Sequence, residues 1–83
     1  MTTLKANGEQ FLLLEKVHES GTIMYLSFRS NGHVLTKVHG GKWKRAWKTP
    51  SRKSELAMFA AEKETSGWKA VKRANVTWTG PGA

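Results

Sequence analysis

Ser30-Asn31-Gly32 sits between two runs of alternating apolar and polar residues, and it constrains the fold more than any other stretch. Asn-Gly is a hairpin signature because both residues tolerate the positive φ that a tight turn between twisted strands demands. On one side lies Ile23 to Arg29, where Met24, Leu26 and Phe28 alternate with Tyr25 and Ser27; on the other lies Val34 to Val38. Two registers compete. A two-residue turn pairs Phe28 with Leu35 and sets Lys37 beside Leu26. A three-residue loop with Gly32 at a bulge pairs Phe28 with Val34 and Met24 with Val38. That second register gathers Met24, Leu26, Phe28, Val34 and Val38 on one face and leaves Arg29, His33 and Lys37 on the other. It is the expected one, because the buried face sets strand pairing.

The remaining elements follow from the same patterning. Gln10 to His18 reads as a first strand, with Phe11, Leu13 and Val17 on one side, and Leu12 and Leu14 on the other bury it on both faces for part of its length. Gly40-Gly41 turns the chain into a fourth strand, Lys42 to Lys48, with Trp43, Arg45 and Trp47 on one side and Lys42, Lys44 and Lys48 on the other. Thr49-Pro50-Ser51 opens a helix, since proline suits a first turn and Thr49 or Ser51 can cap free N–H groups. Leu56, Phe59, Ala60 and Lys63 form its stripe, widened by Met58 and Ala61, and Gly67 stops it. Trp68 to Val71 and Val76 to Thr79 read as further extended segments. Residues 1–9 and 80–83 read as flexible ends. The expected fold is α+β: a small antiparallel sheet of four to five strands with one helix packed on one face, a single domain over residues 1–83.

At 83 residues there is room for one modest core. Four tryptophans and 39% hydrophobic residues argue against a disordered chain. With no cysteine there is neither a disulfide framework nor a thiolate metal site. The N-terminal stretch has no apolar run of signal-peptide length, and Phe11 to Leu14 falls far short of the roughly 20 residues that span a bilayer. The reading is a cytoplasmic protein with no membrane partner.

From Ser20 to Ser54 there is no acidic residue, against eight basic ones: Arg29, Lys37, Lys42, Lys44, Arg45, Lys48, Arg52 and Lys53. Self-repulsion at a net charge of +8 is best tolerated beside a polyanion. Trp43 and Trp47 flanking Arg45 would make a stacking platform with a phosphate clamp if that face is open, or a core under the helix if it is not. Lys48, Thr49, Ser51, Arg52 and Lys53 would suit an anion at the helix N-terminus, or else form a solvated basic face. Lys69, Lys72 and Arg73 near Trp68 and Trp78 repeat the basic-aromatic mixture. His18, His33 and His39 lie on different segments without ligand spacing or an aspartate, so no metal is expected. The glutamates sit where they can pair with cations on the helix, and no nucleophile stands with a histidine and an acid, so the chain reads as no enzyme and needs no cofactor.

The order of strands, glycine turn, helix and closing tryptophan resembles WGR domains, small modules of poly(ADP-ribose) polymerases and some bacterial proteins. Phe59-Ala60-Ala61-Glu62-Lys63-Glu64-Thr65-Ser66-Gly67-Trp68 resembles the family's helix end, and Tyr25-Leu26-Ser27-Phe28-Arg29 its second strand, over residues 11 to 72. The signature tripeptide is replaced by Asn31-Gly32-His33, which keeps only the glycine. The resemblance implies a DNA-contacting module, but the contact that the family makes through the tripeptide's tryptophan and arginine does not carry over.

The expected function is binding of nucleic acid, DNA or RNA, through its phosphate backbone with little base readout. The alternative is a phage- or plasmid-type factor that binds an acidic host-protein surface. Pairing of the first or fourth strand across a sheet edge would make a homodimer.

Overall fold

The computed structural model describes residues 8–47 and 49–82. The elements run β1 (Gln10–Val17), β2 (Ile23–Arg29), β3 (Val34–Val38), β4 (Lys44–Arg45), α1 (Lys53–Thr65) and β5 (Lys69–Arg73). They form one antiparallel sheet in the order β4-β3-β2-β1-β5, with α1 packed on one face.

The bulged hairpin register is the observed one: Phe28 lies opposite Val34 and Met24 opposite Val38. The Arg29 N–H donates to the His33 carbonyl at 2.9 Å, and Gly32 takes a φ of 94°. Glycine is needed there for a second reason, since a Cβ would fall 2.5 Å from the Ser51 carbonyl oxygen. Strand alternation then carries Leu12 and Leu14 of β1, Leu26 and Phe28 of β2 and Val34 of β3 to the face that meets Leu56 and Ala60 of α1. A row of rings crosses this core from Trp78 through Phe11, Phe28 and Phe59 to Trp47, with neighbouring centroids 4.8–6.4 Å apart. Phe11 belongs to the core rather than to the Leu13 side, because the β1–β2 register shifts between Gln10 and Leu12 and the extra residue turns it over.

The helix starts later than Pro50. Arg52 is its N-cap and has no acceptor atom, so the cap is supplied from inside the helix: Glu55 accepts from the Arg52 N–H at 2.8 Å. Neither Thr49 nor Ser51 plays that part, and the Ser51 N–H instead donates to Gly32. At the other end Trp68 N–H bonds to Lys63 and Gly67 N–H to Glu64, a Schellman motif with Gly67 at a φ of 104°. The Lys16 ammonium reaches from β1 to the Ser66 carbonyl at 3.3 Å, where the helix dipole favours a cation. Met58 does not widen the buried stripe; it is 73% exposed.

Two further expectations are corrected. The expected strand from Lys42 to Lys48 is cut short: among the described residues its pairing with β3 is confined to Lys44 and Arg45, and Lys48 lies outside them. Val76 to Thr79 form no strand; they run beside the β2–β3 hairpin, where the Thr79 N–H donates to Ser30. Past them, the Trp78 indole N–H donates to the Gly82 carbonyl at 2.8 Å, and Gly80 lies against Asn31. Residues 1–7 and Ala83 of the expected flexible ends lie outside the described residues.

Candidate functional site

The face of the sheet turned away from α1 follows directly from the register. If Leu14, Leu26, Phe28 and Val34 point to the helix, their strand neighbours point the other way. Lys69, Glu15, Tyr25 and Lys37 stand opposite one another along one row across β5, β1, β2 and β3. A second row runs Lys72, Leu13, Ser27, Leu35 and Arg45, reaching β4. Arg29 and His33 close the hairpin end. Along these rows Glu15 is the one carboxylate among four cations, Lys37, Arg45, Lys69 and Lys72, and Arg29 adds a fifth at the hairpin end.

Trp43 is held on this face by charge. The Lys37 ammonium lies 5.1 Å from its ring centroid and 5.6 Å from that of Tyr25, so it sits between two aromatic faces. The Arg29 guanidinium carbon is 6.0 Å from the same indole. Each such contact contributes about 0.5–1 kcal/mol where water still reaches it. Together they hold a half-buried indole and a half-buried phenol on a surface whose polar partners are cations.

Beneath Trp43 the polar groups are sequestered. Ser27 is fully buried and donates to Gln10 Oε1 at 2.7 Å; Arg29 is 5% and His33 9% exposed. The Arg29 Nη1 makes a long bond, 3.4 Å, to the Gly8 carbonyl, while its Nε and the His33 Nδ1 have no hydrogen-bond partner among the described residues. Burial lowers the Arg29 pKa from its usual value, though a guanidinium remains charged at neutral pH. Burial, and then the charge of Arg45, lowers that of His33 below the usual imidazole value, which favours the neutral ring.

The platform expected from Trp43, Arg45 and Trp47 is not formed. Trp43 lies on the face away from α1, whereas Trp47 packs on the core with its ring 4.8 Å from Phe59 of α1. The reason is local: β4 ends at Arg45, Ala46 donates its N–H to Val34, and the chain bends around the sheet edge to the helix side. Lys44 stands opposite Thr36, hence on the helix side, apart from Arg45 opposite Leu35. Lys42 is exposed in the β3–β4 connection, and Lys48 lies outside the described residues. Arg52 and Lys53 are exposed at the start of α1, and Arg73 turns to the helix side, where it bonds Glu64 at 3.1 Å. Lys69 and Lys72 join the face through β5, which makes β1 an interior strand and removes it as a dimer edge. Tyr25 was not singled out from the sequence, although the hairpin register that sets it opposite Lys37 already brings them together.

The histidines stay apart in role: His18 bonds Ser20 at 3.1 Å, and no group of metal-ligating side chains gathers among the described residues. No helix among them is long and apolar enough to cross a membrane. Comparison with protein-family models, curated proteins and solved structures finds no match to this chain.

Proposed function

We propose that this is a nucleic-acid-binding module that lays the phosphate backbone across the helix-free face of its sheet. The observation that carries the reading is the composition of that face. Lys69 and Lys72 at one edge, Lys37 in the middle and Arg45 at the other edge flank the Tyr25 and Trp43 rings, with Glu15 as the one carboxylate in the rows. A row across a sheet spans about 4.8 Å per strand, so cations on β5, β3 and β4 cover a width comparable to several backbone phosphates. The rings add stacking to exposed bases, which favours single-stranded segments over an intact duplex. Arg73, turned to Glu64, is left out of this surface. The resemblance to WGR domains points the same way by class of partner, through different residues.

Fluorescence anisotropy with labelled single-stranded DNA, duplex DNA and RNA over a salt series tests the reading. Binding with a log–log salt slope of about −3 to −5 is expected, corresponding to roughly four or five phosphates engaged. Failure of all three to bind at about 100 mM salt, where such contacts still hold, overturns the reading and turns attention to an acidic protein surface.

A further inference from the structure

We infer that the hairpin end of this face is a recessed oxyanion site, built from Arg29 and His33 beside the Trp43 indole, that takes a phosphate or sulfate group. The inference deepens the nucleic-acid reading and rests on it for the source of the group, a backbone phosphate. The chemistry of the site itself stands on the side chains, whose two orphaned nitrogens are closed to water until an anion enters beside Trp43.

Arg29 and His33 face each other across the β2–β3 turn, joined by the 2.9 Å bond from the Arg29 N–H to the His33 carbonyl, and both are more than nine-tenths buried. Each keeps a buried nitrogen, Nε and Nδ1, without a partner among the described residues. A buried guanidinium that meets no carboxylate is an expensive arrangement, and so is an orphaned ring nitrogen. A tetrahedral oxyanion relieves both at once, because its oxygens accept from the guanidinium edge while an imidazolium Nδ1–H donates a further bond.

The surroundings favour an anion. Arg45 on β4 acts on His33 through its charge, and Lys37 lies further along β3 against Trp43. Glu9, tied by its backbone to Ser30, has an exposed side chain. Arg52 and Glu55 cap the helix start, where Ser51 donates to Gly32. In the free site desolvation and then the charge of Arg45 lower the His33 pKa and so favour the neutral ring. A bound oxyanion reverses that balance, so binding takes up a proton and tightens as pH falls.

Sulfate is the probe of choice, because it stays doubly charged across the range in which His33 titrates. The His33 ring is followed by NMR in sulfate and in chloride at matched ionic strength, with the exposed His18 and His39 as internal references. The expected result is a His33 pKa raised by sulfate alone, little change at the references, and sulfate affinity roughly tenfold higher near pH 5.5 than near pH 7.5. Arg29→Met, chosen to preserve the fold, abolishes the effect, and His33→Gln removes its pH dependence. Identical His33 titration in sulfate and chloride overturns the site. A parallel titration with a single-stranded oligonucleotide separates the two readings. Sulfate binding without oligonucleotide binding upholds the pocket and removes its proposed source. Oligonucleotide binding that is indifferent to sulfate and to His33→Gln upholds the interface and overturns the pocket.

Discussion

Trp43 and Trp47 stand four residues apart in one short stretch, and they serve opposite faces of the sheet. Trp47 meets Phe59 and joins a row of rings closed under the helix, where stabilisation comes from apolar area removed from water. Trp43 meets Lys37 and Arg29, where it comes from rings against cations on a surface that has no helix above it. The helix-covered face holds the aromatic and aliphatic core; the other face buries Leu35 and Ser27 but gathers Arg29, Lys37, Arg45, Lys69 and Lys72 and, among the described residues, the buried polar atoms without partners. The difference teaches that a tryptophan beside lysines in sequence says little until the strand it rides on is known to continue.

The contrast is broken most severely from the helix side. Leu56 is fully buried and anchors α1 to the sheet, so Leu56→Ala is expected to cost about 2–5 kcal/mol. A domain this small has only a few kcal/mol in hand, so that variant should be largely unfolded by circular dichroism at room temperature. Matched truncations on the other face should not do this. If Trp43→Ala lowered the urea midpoint as much as Leu56→Ala, the division of labour between the faces would be wrong.

The next largest effect is on binding. Replacing Lys37, Lys69 and Lys72 together by glutamine should flatten the log–log salt slope by about 2–3, since each lost phosphate contact removes close to one unit. Removing the same number of charges from Lys44, Arg52 and Lys53, on the helix side and at the helix start, should leave the slope nearly unchanged. Equal losses from the two triplets would mean that net charge, not this face, sets the affinity.

The hairpin and its register were legible in the sequence because apolar alternation on both sides of Asn31-Gly32 leaves one register that buries a whole face. The helix stop at Gly67 was legible for a similar reason, since local chain geometry fixes it. What could not be read is where β4 ends. Nothing in Lys42 to Lys48 marks the bend at Ala46, which follows the last bond to Val34 and brings Trp47 beside Phe59. The candidate residues Arg29, Lys37, Trp43, Arg45, Lys69 and Lys72 were named from charge and aromatic spacing. Their gathering on one face depends on β5 pairing with β1, a contact between distant segments. Burial of Arg29 and His33 beneath that surface has no sequence signature, since both types are ordinarily exposed.

A smaller effect separates the two tryptophans by function. Trp43→Ala should weaken single-stranded binding by about 1–3 kcal/mol through lost stacking. Its stability cost should stay at about 1–2 kcal/mol, the sum of its two cation contacts. Trp47→Phe, which keeps an aromatic ring against Phe59, should leave binding almost untouched. Anisotropy and denaturation on the same three proteins decide the matter, and a binding loss confined to the Trp47 variant would reverse the assignment of faces.

The finest distinction lies between the buried charges and the apolar core they adjoin. Among the described residues no carboxylate pairs with buried Arg29, so Arg29→Met should be neutral or mildly stabilising in the absence of anion. A core side chain of similar size could not be replaced so freely. His33 adds a pH dependence of defined sign. Its folded pKa lies below the unfolded value of about 6.5, so as pH falls through that value the unfolded chain takes up the proton first. Stability contributed by neutral His33 is therefore complete above that pH and declines below it, down to the folded pKa. In His33→Gln this part of the decline should vanish, and in wild-type protein sulfate should offset it by favouring the protonated ring. Thermal melts across that window, with and without sulfate, measure the difference. A slope that is the same in wild type and His33→Gln would mean that the buried His33 ring makes no pH-dependent contribution and holds no proton for an anion.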